Sequence, residues 1–150
     1  MTGTEYANLV ATYVARRFGE RDLKVYREVR VGKSIIGKNR SVDILCVCER
    51  KDRAFAIECK FQDSQGSVDE KIPYAIEDLR ASPVAGCISY AGKGFSEGVL
   101  HMLGASRDAA YCLPAPGQRH PTADTRDLDH LIAAHFGWWD ILVENKAPLS

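Results

Sequence analysis

The sequence lacks several features that would assign it quickly to a class. Its 150 residues contain no uninterrupted apolar run long enough to span a bilayer, and its start, MTGTEYANLV, lacks a basic region followed by an apolar one. No internal repeat is visible, and GKSIIGKN lacks the Gly-Lys-Ser/Thr ending of a phosphate-binding P-loop. We therefore expect a cytoplasmic protein with no membrane contact, folded as one globular domain over 1–150.

A disulfide framework is also missing. The five cysteines are an odd number, and Cys46, Cys48 and Cys59 fall in strands that are predicted to be internal. Cys46-x-Cys48 is not followed by a second pair of closely spaced ligands, which a zinc site would need. The pattern favours reduced thiols that pack as small hydrophobic side chains.

The chain has no excess of charge of either sign. Twenty Lys and Arg residues balance twenty Asp and Glu residues, so the formal net charge is zero. A protein that held long duplexes by electrostatics alone would carry a basic excess, because phosphate neutralisation supplies most non-specific affinity. The balance argues against such a protein, although basic residues clustered on one face would still create a local positive surface.

What is present is a pair of apolar strands, SVDILCVC and AFAIECK, joined by the polar turn ERKDR. Side chains alternate between the two faces of a strand, so Glu58 and Lys60 share one face, and Phe55, Ile57 and Cys59 share the other. An acid and an amine therefore stand side by side on a strand that is apolar enough to be central in a sheet.

Asp43 adds a second carboxylate, because it lies alone among the apolar residues of the preceding strand. A buried carboxylate is costly unless it is paired or binds a metal ion. One explanation is a structural ion pair between Glu58 and Lys60 on an exposed edge strand. The other is a cation site, in which Asp43, Glu58 and the backbone carbonyl of Cys59 offer the oxygen ligands that suit Mg²⁺.

Asp43 followed by Glu58-Cys59-Lys60 resembles the D…(D/E)xK signature of the PD-(D/E)XK nuclease superfamily, with Val42 in place of the proline. The stretch ECKFQDSQGSVDEKIPYAIEDL resembles a bacterial and phage subset, and the likeness covers about Glu5 to Tyr90. It implies an α/β, restriction-endonuclease-like, three-layer α/β/α core. The implied mixed central sheet has the order helix-strand-strand-strand-helix-strand, with the core over about 4–113 and a C-terminal helical segment over about 127–142.

The resemblance also implies a metal-dependent nuclease that hydrolyses DNA phosphodiester bonds with Mg²⁺, for which Mn²⁺ substitutes. Its small size is similar to Holliday-junction resolvases and other stand-alone repair, recombination or phage endonucleases, which commonly act as homodimers. The alternatives are a catalytically inactive DNA-binding or assembly module that retains the nuclease fold, and a small structural protein in which the acids and the lysine form a buried ionic cluster.

The site residues that the resemblance implies fall into three roles. The metal ligands are Asp43, Glu58, the Cys59 carbonyl and a third acid. Glu5, at the start of the first helix, is the candidate for that acid, and Glu20 and Glu28 are alternatives. A first-turn acid such as Glu5 is equally explained by the helix dipole. Lys60 and Gln62 join Asp43 and Glu58 as catalytic residues, although Gln62 also fits an exposed amide at a strand end. DNA phosphates are assigned to Lys33, Lys38, Arg40 and Lys71, whose alternative is simple solvation.

The remaining periodicities predict elements around this centre. Thr4 is the expected N-cap of a first helix over Glu5–Phe18, and a short kinked turn precedes a helix that starts at Pro73 because proline lacks an amide donor. The other expected elements are strands over Leu23–Val31, Val84–Tyr90 and Ala109–Leu113, a helix over Phe95–Leu103 and a C-terminal helical segment broken at Gly137. We expect this last segment to pack within the chain, and the alternative is that it pairs with a second subunit.

Overall fold

A five-stranded mixed sheet forms the centre of the molecule, and the computed structural model describes all residues from 1 to 150. The strands are adjacent in chain order, from β1 at one edge to β5 at the other. They are β1 (Leu23–Lys33), β2 (Asn39–Cys48), β3 (Arg53–Phe61), β4 (Gly86–Ala91) and β5 (Ala109–Tyr111). The first three strands are antiparallel, whereas β4 is parallel to β3 and β5 is parallel to β4.

Helices cover both faces of this sheet. They are α1 (Gly3–Phe18), α2 (Val68–Ala81), α3 (Glu97–Ala105), α4 (Arg126–Phe136) and α5 (Trp139–Val143). α1 and α4 enclose a core of 24 buried residues on one face, and α2 and α3 enclose a core of 8 on the other. The expected α/β class, with a mixed sheet and helices on both of its faces, is therefore confirmed. Along the chain, the first helices and strands follow one another as helix, three strands, helix and strand.

The side chains of β3 alternate between the two faces of the sheet, as the sequence predicts. Phe55, Ile57 and Cys59 lie in the larger core, whereas Glu58 and Lys60 face α2. Alanine side chains precede these two charged residues on the α2 face, and their small size leaves open space between the sheet and the helix.

β2 changes face at Asp43. Ile44 lies in the larger core, whereas Val42 and Arg40 line the space beneath α2. On β1, Arg27 pairs with Ile44 and Val29 pairs with Val42, while Glu28 between them has a left-handed φ of 53°. Arg40 is buried beneath α2, whereas the sequence predicts an exposed loop residue that contacts DNA phosphate or is simply solvated.

The start of α1 differs from the expectation that Thr4 caps it. The helix begins at Gly3, and Thr2 is its N-cap. The Thr2 hydroxyl accepts a hydrogen bond from the Glu5 amide, and the Glu5 carboxylate accepts one from the Thr2 amide, both at 3.1 Å. This reciprocal capping box satisfies two amides that would otherwise have no partner.

The expectation of a kinked turn before Pro73 is wrong. α2 is continuous from Val68 to Ala81 with Pro73 inside it, and Ser67 makes no side-chain cap. Proline costs the helix one hydrogen bond there. The burial of Ile72, Ile76 and Leu79 against the sheet supplies the free energy that keeps the helix intact.

The C-terminal elements follow their predicted pattern. Gly137 ends α4 with a left-handed φ of 75°, and Trp138 stacks on Phe18 and Phe136 within the chain. All five cysteines are buried and unpaired, as expected. None of the helices has the length and apolar character that a membrane crossing requires.

Candidate active site between β2, β3 and α2

Asp43 and Glu58 face each other where the ladder between β2 and β3 ends. The last paired residues are Ile44 and Ile57, and beyond them the two carboxylates take over the hydrogen bonding. Glu58 Oε1 accepts from the Asp43 amide at 3.1 Å, and Asp43 Oδ2 accepts from the Cys59 amide at 2.8 Å. These crossed hydrogen bonds hold the two carboxylates side by side, as the sequence predicted.

Each carboxylate keeps a second oxygen, Asp43 Oδ1 or Glu58 Oε2, that has no hydrogen-bond partner within the protein. Neither side chain has a Lys, Arg or His nitrogen within 4.0 Å, since neither takes part in any of the ion pairs. Burial, followed by the neighbouring Asp43 charge, raises the pKa of Glu58 from its ordinary value of 4.5 to about 7. The pair is therefore short of positive charge.

Lys60 lies on the same face of β3 as Glu58 and is partly buried. Its charge lowers the pKa of Glu58, but only in part, because burial and Asp43 act more strongly in the opposite direction. No carboxylate oxygen lies within 4.0 Å of its ammonium group. The structural ion pair between Glu58 and Lys60, which the sequence left open, is therefore not formed.

A cavity of about 320 Å³ separates these charged groups from α2. Its walls combine apolar and charged residues of the sheet with apolar and charged residues of the helix. The lining residues are Arg40, Val42, Ala56, Glu58, Lys60, Lys71, Tyr74, Ala75, Asp78, Leu79 and Ser82.

Arg40 lines the cavity and pairs with Asp78 on α2. Its Nε and Nη2 donate to the two carboxylate oxygens at 3.1 and 2.9 Å, and its Nη1 donates to the Val31 carbonyl. Only 7% of Arg40 is exposed, and the ion pair lowers the pKa of Asp78. The expectation that Arg40 contacts DNA phosphate is corrected, because its guanidinium is buried and already paired.

Gln62 also has a place other than the one predicted. It is 4% exposed, its Nε2 donates to Asp69 and to the Gly94 carbonyl, and its Oε1 accepts from the Val68 amide. The amide group therefore has no donor left for a phosphate or a metal-bound water. Its hydrogen bonds instead fix the start of α2 against the segment that follows β4.

The other predicted phosphate contacts are exposed. Lys71 lies near the start of α2 and lines the cavity together with Glu58 and Lys60. Lys33 ends β1, and Lys38 immediately precedes β2. These three lysines remain predictions as DNA contacts, and the structure leaves their ammonium groups open to solvent.

The candidate third acid lies at the start of α1. Glu5 is exposed, and its carboxylate caps its own helix. The alternative Glu20 lies beyond the opposite end of α1, whereas Glu28 stands beside Asp43 in the β1–β2 register with its side chain in solvent. The choice among these acids remains a prediction.

Arg27 is a residue of the site that the sequence reasoning missed. Its Nε donates to the Asp43 carbonyl at 2.8 Å, and its Nη1 donates to the Asn8 side chain on α1. It thereby ties the first helix to the strand that carries Asp43. The alternation of β1, which puts Arg27 on the face of Val25, was a signal that could have shown it.

The donor set at Asp43 and Glu58 suits a hard divalent cation. No group of three His, Cys, Asp or Glu side chains is arranged to hold a metal, so two carboxylates are the side-chain ligands that the structure brings together. Mg²⁺ is commonly bound by one or two carboxylates and keeps several waters. Asp43 Oδ1 and Glu58 Oε2, the carboxylate oxygens without a hydrogen-bond partner, therefore fit such an ion as ligands.

Comparisons with other proteins bear on the fold and the family. The chain is similar to a solved structure described as "Crystal Structure of Protein of Unknown Function AF1548", with 19% sequence identity and a TM-score of 0.48. That match covers 86% of this chain and 66% of the other chain. No protein with a curated description matches the sequence. Residues 2–139 match the family described as the PD-(D/E)XK nuclease superfamily domain. The chain therefore belongs to the PD-(D/E)XK nuclease superfamily.

Proposed function

We propose that the chain is a metal-dependent endonuclease that hydrolyses phosphodiester bonds in DNA. The observation that carries this proposal is the hydrogen-bonded pair of acids, Asp43 and Glu58, neither of which has a cation partner, together with the unpaired Lys60 that lines an open cavity with Glu58. A purely structural cluster would be expected to pair its charges internally, because uncompensated buried charge is costly.

Asp43 and Glu58 hold the divalent cation, through the oxygens that the crossed hydrogen bonds leave free. The Cys59 carbonyl and Glu5 are proposed as further ligands. When bound, Mg²⁺ polarises a phosphoryl oxygen and lowers the pKa of a bound water, and Mn²⁺ would substitute for it. The amides of Asp43 and Cys59 fix the orientation of the two carboxylates before any cation arrives.

Lys60 supplies a positive hydrogen-bond donor next to the two acids. Because no protein carboxylate occupies its ammonium group, Lys60 is available to a phosphate oxygen or to the attacking water. In either case it favours the transition state, in which negative charge accumulates on the phosphoryl group. Lys71, on the opposite wall of the cavity, is proposed to hold a neighbouring phosphate.

The DNA preference and the class of stand-alone repair, recombination or phage endonuclease extend the superfamily assignment. Local charge supports nucleic acid as the substrate, since Lys33, Lys38 and Lys71 are exposed while the acids of the site require a cation. A homodimer is proposed as the working form, because one site cleaves one strand and two sites would cleave both.

The assay is incubation of the purified protein with supercoiled plasmid, linear duplex, single-stranded DNA, a four-way junction and a matched RNA, each with Mg²⁺, Mn²⁺ or EDTA. Asp43→Ala, purified in parallel, controls for contaminating nucleases. We expect cleavage of at least one DNA substrate by the unaltered protein with Mg²⁺ or Mn²⁺, and none with EDTA or in the variant. Salt-sensitive binding without cleavage would instead indicate a DNA-binding or assembly module, and cleavage of RNA alone would contradict the DNA assignment.

A further inference from the structure

The tip of the β1–β2 hairpin, residues 32–39, exposes two adjacent isoleucines. The Gly37 amide donates to the Ser34 carbonyl at 2.9 Å, so Ile35 and Ile36 are the central residues of a tight turn. Their exposed fractions are 47% and 61%. Turns of this kind usually carry Gly, Pro, Asn or Asp at their centre, and turn geometry gives no reason for two large apolar side chains.

Positive charge surrounds these isoleucines. From Val29 to Val42 the chain contains two arginines and two lysines and no acidic residue. Arg40 is neutralised by Asp78, but Arg30, Lys33 and Lys38 have no acidic partner within 4.0 Å. An apolar tip between unpaired cations is complementary to a partner that presents flat apolar surfaces between negative charges, as the bases and phosphates of a nucleic acid do.

Hydrogen bonds connect the hairpin tip to α2, the helix that covers the candidate active site. The Ile35 amide donates to Asp78 Oδ1 at 3.0 Å, and the same carboxylate binds Arg40 at the end of the hairpin. Asp78 lies on α2 and lines the cavity that contains Glu58 and Lys60. Asp78 is therefore a positioning residue that fixes the distance between the tip and the two acids.

We infer that the hairpin tip is a wedge that packs Ile35 and Ile36 against unstacked bases while Lys33 and Lys38 contact the flanking phosphates. Apolar side chains inserted between base steps require the step to open, and opening costs least where bases are already unpaired. The substrate class is accordingly DNA with a bulge, gap or branch rather than intact duplex. This inference rests on the proposed function and adds the substrate structure to it.

The test compares two DNA duplexes of one sequence, one intact and one with a short bulge of unpaired nucleotides, each carrying 2-aminopurine beside the bulge position. Binding is measured with Ca²⁺ replacing Mg²⁺. We expect the unaltered protein to prefer the bulged DNA and to increase its 2-aminopurine fluorescence, which reports unstacking. The double variant Ile35→Ser/Ile36→Ser should lose this preference, by about tenfold, together with the fluorescence increase.

Two controls separate the wedge from general effects. Val143→Ser removes an apolar side chain that is 50% exposed on α5 and should leave the preference unchanged. Lys33→Ala/Lys38→Ala should weaken binding to both duplexes equally and reduce the salt slope by about 2. Thermal unfolding of the isoleucine variant should be close to that of the unaltered protein, because neither side chain belongs to a buried core.

A preference for bulged DNA that survives in Ile35→Ser/Ile36→Ser would overturn the wedge, even if the protein cleaves DNA. So would a dimer of the unaltered protein that this variant converts to monomer, because the isoleucines would then be a subunit contact. If the unaltered protein neither binds nor cleaves any DNA, the proposed function fails, and the wedge fails with it.

Discussion

In the cavity under α2, Asp78 accepts hydrogen bonds from Arg40 and from the Ile35 amide, and its pKa is lowered by the arginine. Glu58, by contrast, accepts one hydrogen bond from the Asp43 amide and has no cation partner, and burial raises its pKa to about 7. Both acids line the same cavity on the same face of the sheet.

The ion pair between Arg40 and Asp78 is neutralised within the fold, whereas the acids Asp43 and Glu58 have no counter-charge within 4.0 Å. Arg40 and Asp78 satisfy each other, so their pairing connects β2 to α2. Glu58 and Asp43 repel each other without a cation between them, and an arrangement of this kind lowers the stability of the folded chain unless a ligand stabilises it. Perturbed acids in a cleft are typical of functional sites.

The largest expected effect is the loss of activity on substitution of Lys60. Lys60→Ala should reduce metal-dependent DNA cleavage by at least about a hundredfold, because it removes the positive donor beside the two acids. Lys24→Ala is the matched control, since Lys24 pairs with Glu49 on the exposed surface. Cleavage rates under single-turnover conditions measure both, and full activity in Lys60→Ala would remove Lys60 from the mechanism.

The next effect concerns the contribution of the Arg40–Asp78 ion pair to the stability of the fold. Asp78→Asn should destabilise the fold by about 3 kcal/mol, because it leaves the buried Arg40 without a counter-charge. Chemical denaturation at about pH 7 measures the free energy of unfolding. The difference should shrink as the pH falls through the lowered pKa of Asp78, because the acid in the unaltered protein then becomes neutral as well. A neutral result would show that the pair contributes nothing to the fold.

A smaller effect of opposite sign is expected for Glu58→Gln. The pKa of Glu58 is higher in the folded state than its ordinary value of 4.5, so the folded chain binds more protons between 4.5 and about 7, and its stability falls as the pH rises through that window. Without divalent cations, Glu58→Gln should therefore be more stable than the unaltered protein by about 2 kcal/mol at about pH 8.

The same comparison made below about pH 4 should show little difference, because Glu58 is then protonated in both states. Glutamine keeps the acceptor for the Asp43 amide, so the variant isolates the effect of charge. If Glu58→Gln is less stable than the unaltered protein at high pH, a cationic side chain of the protein pairs with Glu58 in solution, and Glu58 is not left without a counter-charge.

The sequence was sufficient to predict the part of the site that depends on strand periodicity. Alternation placed Glu58 and Lys60 on one face of β3, and the short turn after Cys48 made Asp43 a neighbour of Glu58, as observed. The α/β layering followed from the alternation of strands and helices.

What the sequence did not predict depends on contacts between distant elements. Arg40 stood in a segment rich in glycine and basic residues, and nothing local indicated that the face change at Asp43 would turn it inward to Asp78 on α2. Gln62 was placed on the correct strand end, but its partners Asp69 and Gly94 come together only through the packing of α2. Local propensity predicts that the helix starts only at Pro73, but the burial of one face of α2 keeps the helix continuous through this residue.

The most direct test of the site is whether Asp43 and Glu58 bind a divalent cation. Mn²⁺ titration followed by electron paramagnetic resonance counts bound ions directly, in the unaltered protein, in Asp43→Ala and in Lys60→Ala. We predict saturable binding in the unaltered protein and in Lys60→Ala, and loss of that binding in Asp43→Ala. Equal Mn²⁺ binding by the unaltered protein and Asp43→Ala, or none by either, would contradict the central claim.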